Sequence, residues 1–315
     1  MKRLRVGTRG SALALWQANH VADQLSKLRG IETEIIRIRS TGDRLQSASV
    51  SAIGAELSTK GIFVKELDDA LLASTVDLAV HSMKDVPTEV PDGLAFAAIT
   101  VREDPRDCLI CRAKCTLESL PAGARVGTSS LRRQAQLRRR RPDLDVRDLR
   151  GNVDTRVKKL DAGEFDAIAL AVAGVSRLGL KGRISQIFDE DVMLPAVGQG
   201  ALGIETRASD RETCEIIALL DDLETRACVT AERALLHELQ GGCQIPLGAW
   251  GRVLGGTLRL EAAVFSVDGT ESVRFDEAGD IDDAAGLGSH LGQSMLEAGA
   301  DRILRLAGRT LSGQS

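Results

Sequence analysis

The chain has 315 residues, 43% hydrophobic and 27% charged, so it can bury the cores of two or three domains and reads as neither disordered nor fibrous. Its formal net charge is −4, and six Phe, two Trp and no Tyr argue against a protein that stacks single-stranded nucleic acid on aromatic side chains. The charged start, Met1 to Arg9, runs into a strand pattern with no apolar signal region behind it, and no stretch approaches a membrane span. The six cysteines (108, 111, 115, 214, 228, 243) then read as free thiols of a protein in the reducing cytoplasm.

In chain order, strand and helix patterns alternate. A strand at 4–6 precedes a helix from Ser11 to about Leu28, a strand at 31–38, a helix at 63–73, and strands at 77–81 and 94–99. A second α/β run follows: a strand at 125–126, a helix from about Ser130, a strand at 145–149, a helix at 153–160, and strands at 166–170 and 184–188. The Pro- and Gly-containing stretch from Leu194 and the segment 100–105 are predicted to cross between these two domains, a hinged arrangement that encloses small ligands in a cleft. From about Asp222 the pattern becomes α+β: a helix to Leu239, strands at 245–253, 257–265 and 271–277, and a helix at 281–298. The expected domains are 1–100 with 201–218, 105–195, and 222–315.

Two strands run into helices through small hydroxyl residues, in Val6-Gly-Thr-Arg-Gly-Ser11 and Val126-Gly-Thr-Ser-Ser130-Leu-Arg-Arg133. Free N–H groups and the positive end of the helix dipole favour an anion there, and Arg9, Arg132 and Arg133 add forked donors; ordinary N-capping is the alternative for either motif alone. His81-Ser-Met-Lys-Asp-Val-Pro87 puts Lys84 and Asp85 at a strand exit, where a carboxylate can accept ring N–H groups, stabilise a cation or move a proton; the alternative is a turn-capping Asp, and His81 reads as a satisfied strand histidine. Between Leu131 and Leu160 eleven Arg or Lys face four Asp, a local excess that suits a small polyanion. Arg138 to Arg141 would point in all directions on a helix and read as a solvated helix end, so Arg150 and Arg156, in Leu149-Arg-Gly-Asn-Val-Asp-Thr-Arg156, are the better candidates. Cys108, Cys111 and Cys115 lack a fourth ligand at zinc spacing and read as thiols of a partly buried strand, so no metal is expected. Cys243 follows a helix on a Gly-Gly turn, where a thiolate can attack an electrophile and keep it as a thioether; the alternative is a cysteine without a role.

Together these motifs become specific. Gly7-Thr-Arg-Gly-Ser-Ala-Leu-Ala-Leu-Trp-Gln17, Lys60-Gly-Ile-Phe-Val-Lys-Glu66, His81 to Pro87, Glu103-Asp-Pro-Arg-Asp107, Val126 to Arg133, Leu149-Arg-Gly-Asn152, Leu194-Pro-Ala-Val-Gly-Gln-Gly200 and Gly241-Gly-Cys-Gln244 resemble the porphobilinogen deaminase (hydroxymethylbilane synthase) family in order and spacing. The resemblance covers nearly the whole chain and is weakest after about residue 255. It implies an α/β protein with two periplasmic-binding-like (type II) domains around a cleft, plus a smaller α+β C-terminal domain. It implies a transferase that deaminates four porphobilinogen molecules and joins them head to tail on a dipyrromethane cofactor, releasing the linear tetrapyrrole hydroxymethylbilane. Cys243 matches the cysteine that holds this cofactor, and Asp85 the catalytic carboxylate. Lys84, Ser130, Arg132 and Arg133 match cofactor-binding positions, while Arg9, Ser11, Arg150, Arg156 and Arg177 match substrate-binding ones. The resemblance also implies a monomer with no nucleic-acid or membrane partner. At Ser58-Thr59 many relatives have Gly-Gly, which leaves the mobility of that loop and the role of Lys60 open.

Three other readings compete. A non-catalytic anion-binding module would need neither Cys243 nor a third domain, an RNA binder would use Arg138 to Arg141, and a metal enzyme using Cys108, Cys111 and Cys115 would lose activity to a chelator.

Overall fold

The computed structural model describes residues 3–38, 61–239 and 245–312. The expectations for Ser58-Thr59, Lys60 and Cys243 lie outside the described residues. β1 (Leu4–Thr8) leads into α1 (Ala12–Arg29) and returns as β2 (Thr33–Arg37), parallel to β1 with Val6 opposite Ile35. The helix begins where Ser11 Oγ accepts the Ala14 N–H at 3.2 Å and stops at Gly30, whose φ of 61° is the left-handed cap that glycine adopts cheaply. α2 (Gly61–Leu72), β3 (Leu78–Ser82) and β4 (Leu94–Ile99) follow. The faces of β3 alternate: Leu78 and Val80 join Leu4, Val6, Ala18, Val21 and Leu25 in one core, while Ala79 packs with Leu67, Leu71 and Leu94 in another.

Beyond these lie β5 (Asp107–Cys111), β6 (Arg125–Gly127), α3 (Leu131–Arg140), β7 (Asp145–Arg147), α4 (Val153–Asp161), β8 (Ala167–Ala171), α5 (Val172–Arg177) and β9 (Gln186–Ile187), followed by β10 (Leu202–Arg207) and α6 (Arg211–Ile217). The strands form two five-stranded sheets, ordered β2-β1-β3-β10-β4 and β7-β6-β8-β5-β9. In each, one strand, β10 or β5, runs antiparallel to both neighbours. Those two strands follow the passages of the chain at Arg102–Glu103 and Gly200–Ala201 between its two compact units, Met1–Arg102 with Ala201–Arg226 and Glu103–Gly200 with Ala227–Ser315. Each sheet thus takes in the first strand after the chain passes into its unit, and both are mixed α/β sheets of the same topology.

The smaller α+β part consists of α7 (Leu223–Glu238), an antiparallel meander of β11 (Leu247–Leu254), β12 (Thr257–Phe265) and β13 (Ser272–Gly279), then α8 (Ala284–Glu297) and α9 (Ala300–Ser312). Its core gathers Ala231 and Leu235 of α7, Leu258, Leu260 and Val264 of β12, and Leu291 and Met295 of α8. Glu232, fully buried, accepts the Gly198 N–H at 2.6 Å and the Gly251 N–H at 2.7 Å, tying the Leu194–Gly200 segment to β11. Among the described residues no helix is long and apolar enough to cross a membrane.

Several expectations are corrected. β10, α5, α6 and α9 are additional elements. Cys111 and Cys115 were expected as free thiols but are joined in a disulfide, because the end of β5 and the turn after it bring their Cα atoms to 6.2 Å; Cys108, Cys214 and Cys228 are not disulfide-bonded. The solvated helix end is confined to Arg139 and Arg140. Arg138 donates to Val267 O at 2.8 Å, and Arg141 fastens a loop by donating to Leu117 O at 2.6 Å and Leu120 O at 2.8 Å.

Gly200 permits no side chain. Its φ is 90°, and a Cβ would lie 2.3 Å from Glu103 O. Gly200→Ala is expected to cost at least about 1–3 kcal/mol, read as a lower urea midpoint at unchanged slope.

Candidate functional site

In the first unit the predicted residues stand at two strand exits. After β1, Thr8 is buried and its Oγ1 donates to Ala14 O at 3.0 Å, fixing the turn on which half-buried Arg9 and Ser11 sit. Ser11 caps α1, as the plainer of its two readings has it. After β3, Ser82 Oγ accepts from Gln17 Nε2 at 2.8 Å, and a single turn spans Met83–Asp85. Met83 is 2% exposed and Val86 5%, so two buried side chains pin the turn and leave Lys84 and Asp85 half-buried between them. The turn is closed by the Val86 N–H donating to Met83 O at 3.3 Å. Asp85 therefore does not cap it, and among the described residues its carboxylate has no hydrogen-bond or ion-pair partner.

In the second unit β6 leads to α3 through Gly127 and buried Thr128. Ser129 Oγ accepts the Leu149 N–H at 3.0 Å, joining this turn to the one that bears Arg150. Ser130 occupies the N-cap position, yet its hydroxyl makes no capping bond. Arg132 and Arg133, 4% and 6% exposed, turn inward onto Asp107, which is 0% exposed at the start of β5. Arg132 Nη1 donates to Asp107 Oδ2 at 2.5 Å and to Leu194 O at 2.6 Å. Arg133 Nε and Nη2 donate to Asp107 Oδ1 at 2.9 and 2.7 Å, and Gln199 Nε2 donates to the same oxygen at 3.0 Å.

Burial alone would raise the Asp107 carboxyl, but the two guanidinium charges overcome it and hold the group far below the usual carboxylate range. Burial also lowers Arg132, whose guanidinium stays charged because its ordinary value is so high. One carboxylate thus meets two cations, leaving a surplus positive charge, and Arg132 Nε is buried with no hydrogen-bond partner among the described residues. Burial and the Asp107 charge push the Cys108 thiol up to about 12, so it stays neutral and is a poor nucleophile.

Arg150 is exposed beside Gly151 in the turn before α4, and Arg156, in the first turns of α4, donates from Nε to Gly151 O at 2.7 Å. Arg177 is buried, with Nη2 donating to Gly200 O at 2.7 Å; burial pushes it down to about 10, against the opposing charge of Glu103. Of the predicted residues, the structure brings together Lys84 with Asp85, Arg9 with Ser11, Arg150 with Arg156, and Arg132 with Arg133. Asp107, which organises the last pair, had no role in the sequence reading. Its signals are its place at the end of the motif Glu103-Asp-Pro-Arg-Asp107 and an acidic residue directly before the apolar run Cys108-Leu-Ile-Cys111.

Two sheets of one strand order, with guanidinium and hydroxyl groups at their strand exits and helix starts, define an α/β protein whose polar groups suit small anions. Residues 4–215 match the model of the porphobilinogen deaminase dipyrromethane cofactor binding domain, and residues 226–297 that of the porphobilinogen deaminase C-terminal domain. Porphobilinogen deaminases of Trichlorobacter lovleyi and Pelobacter propionicus are 48% and 49% identical over 96% of this chain and 96% of theirs. That of Desulforudis audaxviator is 53% identical over 95% of this chain and 96% of its own. Among solved structures, the methionine-binding protein MetQ covers 69% of this chain and 89% of its own at a TM-score of 0.44 and 13% identity.

The chain belongs to the porphobilinogen deaminase family. Its activity is that of a hydroxymethylbilane synthase, a transferase of tetrapyrrole biosynthesis that joins porphobilinogen units on a dipyrromethane cofactor.

Proposed function

We propose that Asp85 is the catalytic carboxylate of this chain and Cys243 the anchor of its dipyrromethane. The observation that carries the first assignment is the turn after β3, pinned by Met83 and Val86 and closed by the backbone, with a half-buried carboxylate free of partners among the described residues. A carboxylate held this way accepts pyrrole N–H groups, stabilises the positive charge that develops as ammonia leaves porphobilinogen, and can take up and return a proton. The neighbouring Lys84 supplies an ammonium for a carboxylate of the bound pyrroles.

The surplus charge on Arg132 and Arg133 and the unpartnered Arg132 Nε fit an anionic group, and the Ser130 hydroxyl is not spent on capping. With Lys84, these residues hold the cofactor's carboxylates. Arg9, Ser11, Arg150 and Arg156 take the carboxylates of incoming substrate. Arg177 acts beside them while supporting Gly200. When bound, the dipyrromethane supplies the free pyrrole carbon to which each new unit is joined. Gly241-Gly-Cys-Gln244 supports Cys243 as its attachment point through family resemblance. The same resemblance supports a monomer working in the cytoplasm.

The test is the intact mass of the purified protein beside a Cys243→Ser variant, before substrate is added. Wild type is expected to carry the extra mass of two linked pyrroles and the variant none. Equal masses, persisting after incubation with porphobilinogen, would remove Cys243 as the anchor.

A further inference from the structure

The first unit buries three ionisable groups at one point that the assignments above leave unused. Asp68 of α2, His81 of β3 and Glu205 of β10 are 8%, 5% and 1% exposed, and one nitrogen or oxygen atom of each lies within 4.8 Å of the others. The sheet register explains the convergence. Glu205 stands opposite Ala79 and Gly203 opposite His81, so the side chains at 79, 81 and 205 share the sheet face whose core holds Leu67 and Leu71 of α2. His81 Nε2 is 3.0 Å from Glu205 Oε2. With protons placed only on ordinary donors, Asp68 Oδ1, His81 Nε2 and Glu205 Oε2 are all left without a hydrogen-bond partner among the described residues.

Two carboxylates meeting in a buried place cannot both stay ionised cheaply, because each raises the cost of the other's charge. We propose that Asp68, Glu205 and His81 form a proton-sharing cluster, in which Asp68 stays protonated and donates to Glu205, and that the cluster positions the end of β3 from which the Asp85 turn departs. The positioning half rests on the role assigned to Asp85; the proton half does not.

The charged groups that act on Asp68 are Glu205 from β10, His81 from β3 and Asp69 of its own helix. Burial first, and then the charge of Glu205, lift its carboxyl to about 7 against the opposing effect of His81. The folded chain therefore keeps a proton that the unfolded chain releases near pH 4. The stability this provides is fully present below that value and is lost as pH rises through about 7.

The experiment compares wild-type holoenzyme with Asp68→Asn and Asp68→Ala. In urea unfolding, the wild-type unfolding constant is expected to rise about tenfold per pH unit relative to that of Asp68→Asn between pH 5 and pH 7. An infrared carbonyl band of a protonated carboxyl should appear in wild type at pH 6 and vanish in Asp68→Asn. Parallel pH slopes and no such band would overturn the shared proton. So would a divalent metal ion in the purified holoenzyme that Asp68→Asn loses, since the three groups would then be its ligands. For positioning, Asp68→Ala is expected to lower kcat by up to about 10² with little change in KM, and Asp68→Asn, which keeps a neutral donor, to restore most of it. An unchanged kcat in Asp68→Ala would overturn the positioning role while leaving Asp85 untouched. Should Asp68→Ala not fold, a kcat in Asp68→Asn near that of wild type supports positioning by a neutral donor, and a large loss overturns it.

Discussion

Asp85→Ala is expected to lower turnover by at least about 10³, because the substitution removes both a proton-transfer group and a fixed negative charge beside a developing cation, contributions of about 10²–10⁴ and 10²–10³. Asp85→Asn should lose nearly as much, since it keeps the shape of the side chain and gives up the charge. Stability should hardly move. The turn over Met83–Asp85 is closed by backbone and pinned by Met83 and Val86, so the variant is expected to unfold within about 0.5 kcal/mol of wild type. Initial rates of hydroxymethylbilane formation and urea unfolding on the same preparations check both halves. Near-normal turnover would take the catalytic role from Asp85, and collapse of the fold would show that the carboxylate has a structural partner.

Much of the fold was legible because the strands obey their period. The strands expected at 94–99 and 257–265 are β4 and β12 to the residue, and the latter alternates buried and exposed positions along its first half. β10 escaped for a physical reason. Its sequence Leu-Gly-Ile-Glu-Thr-Arg carries a glycine and an acid, yet five of its six residues are buried, because Glu205 meets Asp68 of α2 and His81 of β3, contacts that no local pattern announces. The strand exits bearing Asp85 and Ser11 were visible because the apolar run, the turn and the helix start lie next to one another in the chain. The disulfide was not, since an argument from cellular compartment cannot sense that a strand end and its turn bring Cys111 to Cys115. Nor was Asp107 visible as the partner of Arg132 and Arg133. The three meet only because β5 is inserted next to β8 in a sheet flanked by α3, which requires the strand order and not just the strands.

Asp107→Ala is expected to be among the most destabilising single substitutions in this chain, because it leaves two guanidinium groups, 4% and 6% exposed, without their counter-charge. Breaking a buried ion pair from one side costs about 3–5 kcal/mol, since the stranded charge can neither reach water nor give up its proton. The pH dependence has a definite sign. The carboxyl is depressed on folding, so its stabilisation is fully present above about pH 4 and is lost as pH falls through the lowered folded value. The acid limb of wild-type unfolding should therefore contain a component that Asp107→Asn lacks, while the alkaline limbs run parallel. The same substitution separates the structural task of the two arginines from cofactor binding. If the carboxylates of the dipyrromethane share Arg132 and Arg133 with Asp107, the bound group partly compensates for the missing side chain. Asp107→Ala then costs more in the Cys243→Ser background than in the holoenzyme. Equal costs in the two backgrounds would mean that these arginines serve the fold alone, and that Lys84 and Ser130 would have to hold the cofactor's carboxylates without them.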